Sequence, residues 1–222
     1  MHERSFTVGD IPGILWSPAG EPGDRPLILL CHGGGQHKKA PGVLARAHHF
    51  VAAGGFAAAA IDLPGCGDRP AEPATERLRE AIRAGGDVGP LIIRHNTELA
   101  AGAVPEWRAV LDALGAPVAG FWGMSMGCAV GVPLVAAEPR IKAAVLGLAG
   151  GESLAETAAT IKIPVEFVVK WDDELVPRES ALALFDAFAT DDKTLHAYPG
   201  PHNGQIPEEP ETSARFFTRH LT

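Results

Sequence analysis

Pro117-Val118-Ala119-Gly120-Phe121-Trp122-Gly123-Met124-Ser125-Met126-Gly127-Cys128-Ala129-Val130 is an apolar run, a serine held between two glycines, and a second apolar run. The first part reads as a buried strand from Pro117 to Trp122, and the last as a helix running to about Glu138, so the chain reverses at Ser125. So tight a reversal needs Gly123 and Gly127, because a Cβ at either would strike the neighbouring strand or helix. The serine is pushed out at the carboxyl edge of a sheet, and the helix opening at Met126 aims its dipole and free N–H groups at it. A Gly-rich strand-to-helix turn with an incidental serine looks the same in isolation, so the surroundings decide. There is no Gly-Lys-Ser/Thr ending and no G-x-G-x-x-G after the first strand, which disfavours phosphate and dinucleotide binding. Pro133 should bend the helix about two turns in, since it lacks the N–H that an interior turn needs.

Outward from this turn, short apolar runs alternate with amphipathic or Ala-rich segments, the pattern of successive βαβ units around a mainly parallel sheet. Phe6 to Trp16 supplies one or two opening strands, and Pro26 to Cys31 is apolar on both faces, as a buried strand is. A helix around Pro41 to Ala53 leads into a strand from Gly55 to Ile61, stopped by Asp62-Leu63-Pro64-Gly65. Beyond Ser125 the pattern predicts strands at Ala143 to Leu148, Val165 to Lys170 and Thr194 to Tyr198, helices at Arg178 to Ala189 and up to Leu221, and about eight strands in all. A polar, Pro- and Arg-rich stretch from about Gly67 to Asn96 interrupts the series and reads as an insertion, followed by a helix from about Glu98 to Leu114. The expectation is one α/β domain over residues 1–222.

Composition narrows the function classes. The formal charge of −8 is spread without a basic block, so nucleic acid has no electrostatic footprint. No apolar stretch reaches the ~18 residues of a membrane span, and the N-terminus lacks the pattern of a secretory signal, so a cytoplasmic location without membrane contact is expected. Cys31, Cys66 and Cys128 are an odd number without close pairs, which argues for reduced thiols and against a zinc knuckle. His48 and His49, adjacent on a helix, face different ways and make poor paired ligands. Neither metal nor cofactor is expected. The sequence leaves the oligomeric state open, a homodimer included.

A serine nucleophile needs a neutral imidazole to take its proton and a carboxylate to hold that imidazole in the right tautomer. Asp173, in Trp171-Asp172-Asp173-Glu174-Leu175-Val176-Pro177, follows one predicted strand, and His202, in Gly200-Pro201-His202-Asn203-Gly204, follows the last. Both fall at carboxyl strand ends, as Ser125 does. Asp172 is the competing acid. His196 lies inside a strand and His220 inside a helix, which leaves His202 as the histidine of that edge. The loop His32-Gly33-Gly34-Gly35-Gln36 lets backbone approach a ligand closely; Gly34 and Met126 are the candidate N–H donors to an oxyanion. His32 reads as a structural hydrogen-bonding group.

These segments, with Asp62-Leu63-Pro64-Gly65-Cys66-Gly67, resemble the α/β-hydrolase superfamily from about Leu27 to Leu221. They are most similar to its small dienelactone-hydrolase-like or prolyl-oligopeptidase-like serine esterases. The order Ser, Asp, His and the Asp-x-x-Val-Pro register, which favours Asp173 over Asp172, belong to that resemblance. It implies an α/β-hydrolase fold, a triad of Ser125, Asp173 and His202, and hydrolysis of a small-molecule carboxylic ester through an acyl-enzyme. It also implies that the insertion at about 67–96 is a short helical lid, with Arg94, His95 and Asn96 as candidates to reach the pocket. Two positions depart from the family: dienelactone hydrolases carry Cys where Ser125 stands, and Cys66 occupies a position where many relatives carry His. A thioesterase or lactonase would share the triad, and a catalytically silent α/β-hydrolase-fold binding protein would share the fold.

Overall fold

The computed structural model describes residues 1–18, 25–86 and 88–222; position 87, inside the expected insertion, lies outside the described residues. Eight strands form one sheet in the order β1-β2-β4-β3-β5-β6-β7-β8. β1 (His2–Val8) and β2 (Ile11–Ser17) make an antiparallel ribbon against β4 (Ala57–Ile61). β3 (Leu27–Cys31), β4, β5 (Ala119–Met124), β6 (Ile141–Gly147), β7 (Val165–Lys170) and β8 (Lys193–Tyr198) run parallel.

Why β3 and β4 lack polar positions is clear from their two faces. Leu27, Leu29, Cys31, Ala57, Ala59 and Ile61 face one buried cluster, while Ile28, Leu30, Ala58 and Ala60 face another. The first layer is closed by α3 (Gly89–Leu114), α4 (Met126–Ala137), the short α5 (Ala155–Ala158) and α6 (Arg178–Ala187). The second is closed by α1 (Pro41–Gly54) and α7 (Glu209–Leu221), where Phe50 and Phe217 meet edge-to-face at 5.5 Å. That arrangement adds roughly 0.5–1.5 kcal/mol to the burial of the two rings.

The chain moves from β3 to β4 on one side and then crosses back to β5 on the other, so the strand order reverses beside β3. In open α/β sheets the crevice outside the carboxyl ends of strands at such a switch point is where ligands bind.

The insertion differs from its expected layout. α2 (Pro73–Ala84) forms with Pro73 in its first turn, and its Glu76–Arg79 pair closes at 2.6 Å. The following helix does not wait for Glu98: α3 starts at Gly89, with Pro90 in its first turn, so the end of the insertion is the start of one 26-residue helix. Proline pre-sets φ at a helix start, and the Gly85-Gly86 pair, at φ +78° and +103°, separates the two helices. α5 has no counterpart in the expected elements. Among the described residues no helix is long and apolar enough to cross a membrane.

Candidate active site

Ser125 sits between β5 and α4 at φ +58°, ψ −120°, a region in which non-glycine residues are strained. Backbone bonds hold it there: the Ser125 N–H donates to Gly147 O at 2.9 Å, and its carbonyl accepts the N–H groups of Cys128 and Ala129 at 2.9 and 3.0 Å. The flanking glycines are required by contact. A Cβ on Gly123 would lie 2.6 Å from Gly127 O, and one on Gly127 would lie 2.5 Å from Cys31 O. The chain can therefore turn here only because both positions lack a side chain.

The residues expected to join Ser125 do so. The Ser125 hydroxyl donates to His202 Nε2 at 2.9 Å, and His202 Nδ1–H donates to Asp173 Oδ2 at 2.7 Å. His202 is 6% exposed, so the imidazole lies largely away from water. Burial opposes ionisation of Asp173, but the bond from His202 and the N–H groups of Val176 and Leu175 outweigh it and hold its carboxyl below the ordinary carboxylate range. An ionised Asp173 keeps the proton on Nδ1, which leaves the Nε2 lone pair facing the serine. Asp172 has a different partner: its Oδ2 accepts the N–H of Gly200 at 2.8 Å.

Two more side chains bind the histidine loop to the acid loop and the end of β7. Glu174 accepts the backbone N–H of His202 at 2.9 Å, and the buried Lys170 at the end of β7 donates from Nζ to Pro199 O at 3.1 Å and Gln205 O at 3.5 Å. These braces are absent from the sequence reading. The only available signal is a lysine closing an otherwise apolar strand end.

The glycine loop after β3 is also anchored. His32 is fully buried; its Nε2 accepts the Leu63 N–H at 3.2 Å, which assigns its proton to Nδ1, 2.9 Å from Gly33 O. Burial pushes its pKa down, so the ring stays neutral, as befits a structural group. Lys38 reaches both Asp62 at 2.5 Å and Asp68 at 2.6 Å, tying this loop to the one after β4. Gly34 has no atom within 4 Å of where a Cβ would stand, and Gly34 and Met126 both border the cavity in front of Ser125. Cys66 is buried at the cavity wall, in the turn closed by its N–H to Leu63 O.

That cavity, about 1110 Å³, has the Ser125–His202–Asp173 chain on its floor. Leu78 and Ile82 of α2 and Ile92, His95 and Asn96 of α3 wall one side, while the exposed Arg94 stands off, 4.0 Å from Glu98. Opposite, the Arg46 guanidinium stacks 4.2 Å from the Trp122 ring and pairs with Glu209, whose Oε1 accepts Trp122 Nε1–H at 2.6 Å. Both charges of that wall are thus matched by partners within the protein.

Residues 28–220 match the sequence profile of the Alpha/beta hydrolase family. The chain belongs to that family. Among solved structures it is similar to a cold-adapted esterase from an Arctic intertidal metagenomic library, with 33% identity, a TM-score of 0.80, and 99% of this chain and 93% of that one covered. A dienelactone hydrolase from Anabaena variabilis, at 19% identity and TM-score 0.70 over 100% of this chain and 98% of the other, shares the fold. So does an esterase from Pyrococcus furiosus, at 17% identity and TM-score 0.70 over 100% and 93%. No curated protein matches the sequence.

Proposed function

We propose that this α/β-hydrolase is a serine esterase that cleaves carboxylic esters of small or medium size through an acyl-enzyme on Ser125. One observation carries the reading: the unbroken Ser125–His202–Asp173 hydrogen-bond chain on the floor of a cavity at the sheet's switch point. The similarity to a solved esterase supports the choice of ester over other acyl compounds.

In the first half-reaction the Ser125 hydroxyl passes its proton to His202 Nε2 as Oγ bonds to the ester carbonyl carbon. The carbonyl oxygen becomes an oxyanion and takes hydrogen bonds from the backbone N–H groups of Met126 and Gly34. One such donor is worth about 10²–10³ in rate. His202, now an imidazolium beside ionised Asp173, gives its proton to the departing alcohol oxygen as the C–O bond breaks. A water molecule then enters, loses a proton to His202 Nε2 and attacks the acyl carbon; the acid leaves and Ser125 regains its proton.

Residues 67–96 act as a lid within one catalytic domain. Their apolar side chains, Leu78, Ile82 and Ile92, border the cavity and keep water from the acyl group.

The test is Ser125→Ala assayed on p-nitrophenyl butyrate. The expected outcome is a folded protein with hydrolysis reduced to the uncatalysed background. Retained turnover in that variant refutes the assignment.

A further inference from the structure

Behind the reaction cavity lies a groove of about 420 Å³ between α3, α4 and α5, and the two spaces meet at Asn96, Ala129, Ser153 and Leu154. Ala129 is one helical turn beyond Ser125. From there the groove follows α4 to Ala137, a further distance of roughly 12 Å at the α-helical rise per residue.

The lining explains why space remains between packed helices. Ala100, Ala101, Ala129 and Ala137 contribute only methyl groups, and Pro105 in α3 and Pro133 in α4 both border the groove. Each proline lacks the N–H that would bond the carbonyl four residues earlier, and its ring adds little bulk, so neither fills the space between the two helices there. No Asp, Glu, Lys, Arg or His lines the groove among the described residues, and the Thr97 hydroxyl is held by the Ile93 carbonyl at 2.9 Å. Apart from Thr97, the polar side chains of the lining are Asn96 and Ser153 at the passage and Thr157 on α5, so a charged guest would find no counter-ion, whereas an alkyl guest would lose water against the alanines, prolines, Val104 and Leu154.

We propose that this groove receives the distal part of an unbranched, uncharged acyl chain whose carbonyl is held at Ser125, with Ala129 and Leu154 forming the passage. The inference rests on the serine-esterase reading. In that reaction the departing alcohol oxygen has to lie beside His202 Nε2, which protonates it, so the acyl chain is directed away from the His202 loop. The groove lies on that other side: none of its lining residues comes from the Asp173 or His202 loops. Chain length then matters, because each methylene withdrawn from water strengthens binding roughly fourfold.

Two variants block the groove from opposite walls without touching the triad, Ala101→Trp on α3 and Thr157→Trp on α5; each is assayed with p-nitrophenyl butyrate and decanoate. Should one fold poorly by circular dichroism, the other carries the test. The expected result is a loss of at least about tenfold in kcat/KM on decanoate with butyrate within about twofold of wild type. The inference is overturned if both esters change by the same factor, if neither changes, or if the wild type turns over butyrate but not decanoate. Those outcomes leave the triad intact when Ser125→Ala still abolishes butyrate hydrolysis. Failure of the wild type on every ester, with Ser125 unlabelled by a fluorophosphonate, brings down the esterase reading and this inference with it.

Discussion

The backbone N–H of His202 donates to the Glu174 carboxylate at 2.9 Å, one residue along the chain from Asp173, which holds the ring of the same histidine. Main chain and side chain of His202 are therefore gripped by neighbouring carboxylates, and ring position follows loop position. That bond also holds the Glu174 pKa below its ordinary value, so Glu174 accepts at any neutral pH. Glu174→Ala should loosen the loop and lower kcat several-fold with little change in KM, because misplacing a catalytic group costs rate more than binding. Glu174→Gln, which keeps an acceptor oxygen, should recover most of the loss. Steady-state kinetics on p-nitrophenyl butyrate compares the three; equal losses for Ala and Gln would remove the positioning role.

Asp172 and Asp173 are separated by the same kinetics. Asp173 bonds Nδ1 of His202, whereas the exposed Asp172 accepts the Gly200 N–H. Asp173→Asn should cost roughly 10³–10⁴ in kcat, since an amide no longer fixes the productive tautomer or balances the imidazolium. Asp172→Asn should stay within a few-fold of wild type. Comparable losses in both would point to Asp172 as the acid.

The elbow glycines make a prediction about folding as well as rate. At Gly127 an added Cβ would meet Cys31 O at 2.5 Å and His32 O at 3.2 Å, both of them backbone atoms that no rotamer change can move. Gly127→Ala should lower the thermal midpoint and misplace Ser125, while Gly55→Ala, at φ +66° with nothing within 4 Å of the added atom, should cost only the strain of a left-handed residue, about 1 kcal/mol. Thermal melts of the two variants check this. A Gly127→Ala protein that melts like wild type would refute the contact argument.

A buried acidic network far from the reaction sets an acid-sensitivity prediction. Bonds from Arg140, outweighing burial, pull the Glu138 pKa from 4.5 down to about 2, with Arg108 adding to the effect. A folded-state pKa below the unfolded one stabilises above the unfolded value and loses that contribution as pH falls through the folded value. The difference in urea midpoint between wild type and Glu138→Gln should be largest near neutrality and should shrink as pH drops from about 4.5 toward 2. A gap that is constant or widens over that interval would contradict it.

The parallel strands and the site were legible in the sequence to different depths. β7 stood out because Val165, Phe167, Val168 and Val169 make it mainly apolar between Pro164 and the Asp172-Asp173 pair, and Ser125, Asp173 and His202 could be placed because each comes soon after a predicted strand. The start of α3 differs from the expected Glu98: polar Arg94-His95-Asn96 read as the end of the insertion, yet they lie in a helix begun at Gly89, where Pro90 sets the first turn and packing continues the rest. Composition marked the insertion but could not tell that its last turns are one helix with the core-packing segment. Lys170 and Glu174 were invisible as braces, because their partners are backbone groups of a loop about thirty residues away, and side-chain identity carries no trace of such bonds. The pairing of Arg46, Trp122 and Glu209 is likewise a product of three separate elements brought together by the sheet.

The central claim is that Ser125 is an activated nucleophile. Incubation with a fluorophosphonate, followed by mass spectrometry of the peptide spanning residues 117–138, tests it most directly. The account predicts one covalent adduct on Ser125 in the wild type and a much slower reaction in His202→Ala. A folded wild-type protein whose Ser125 stays unmodified would contradict it.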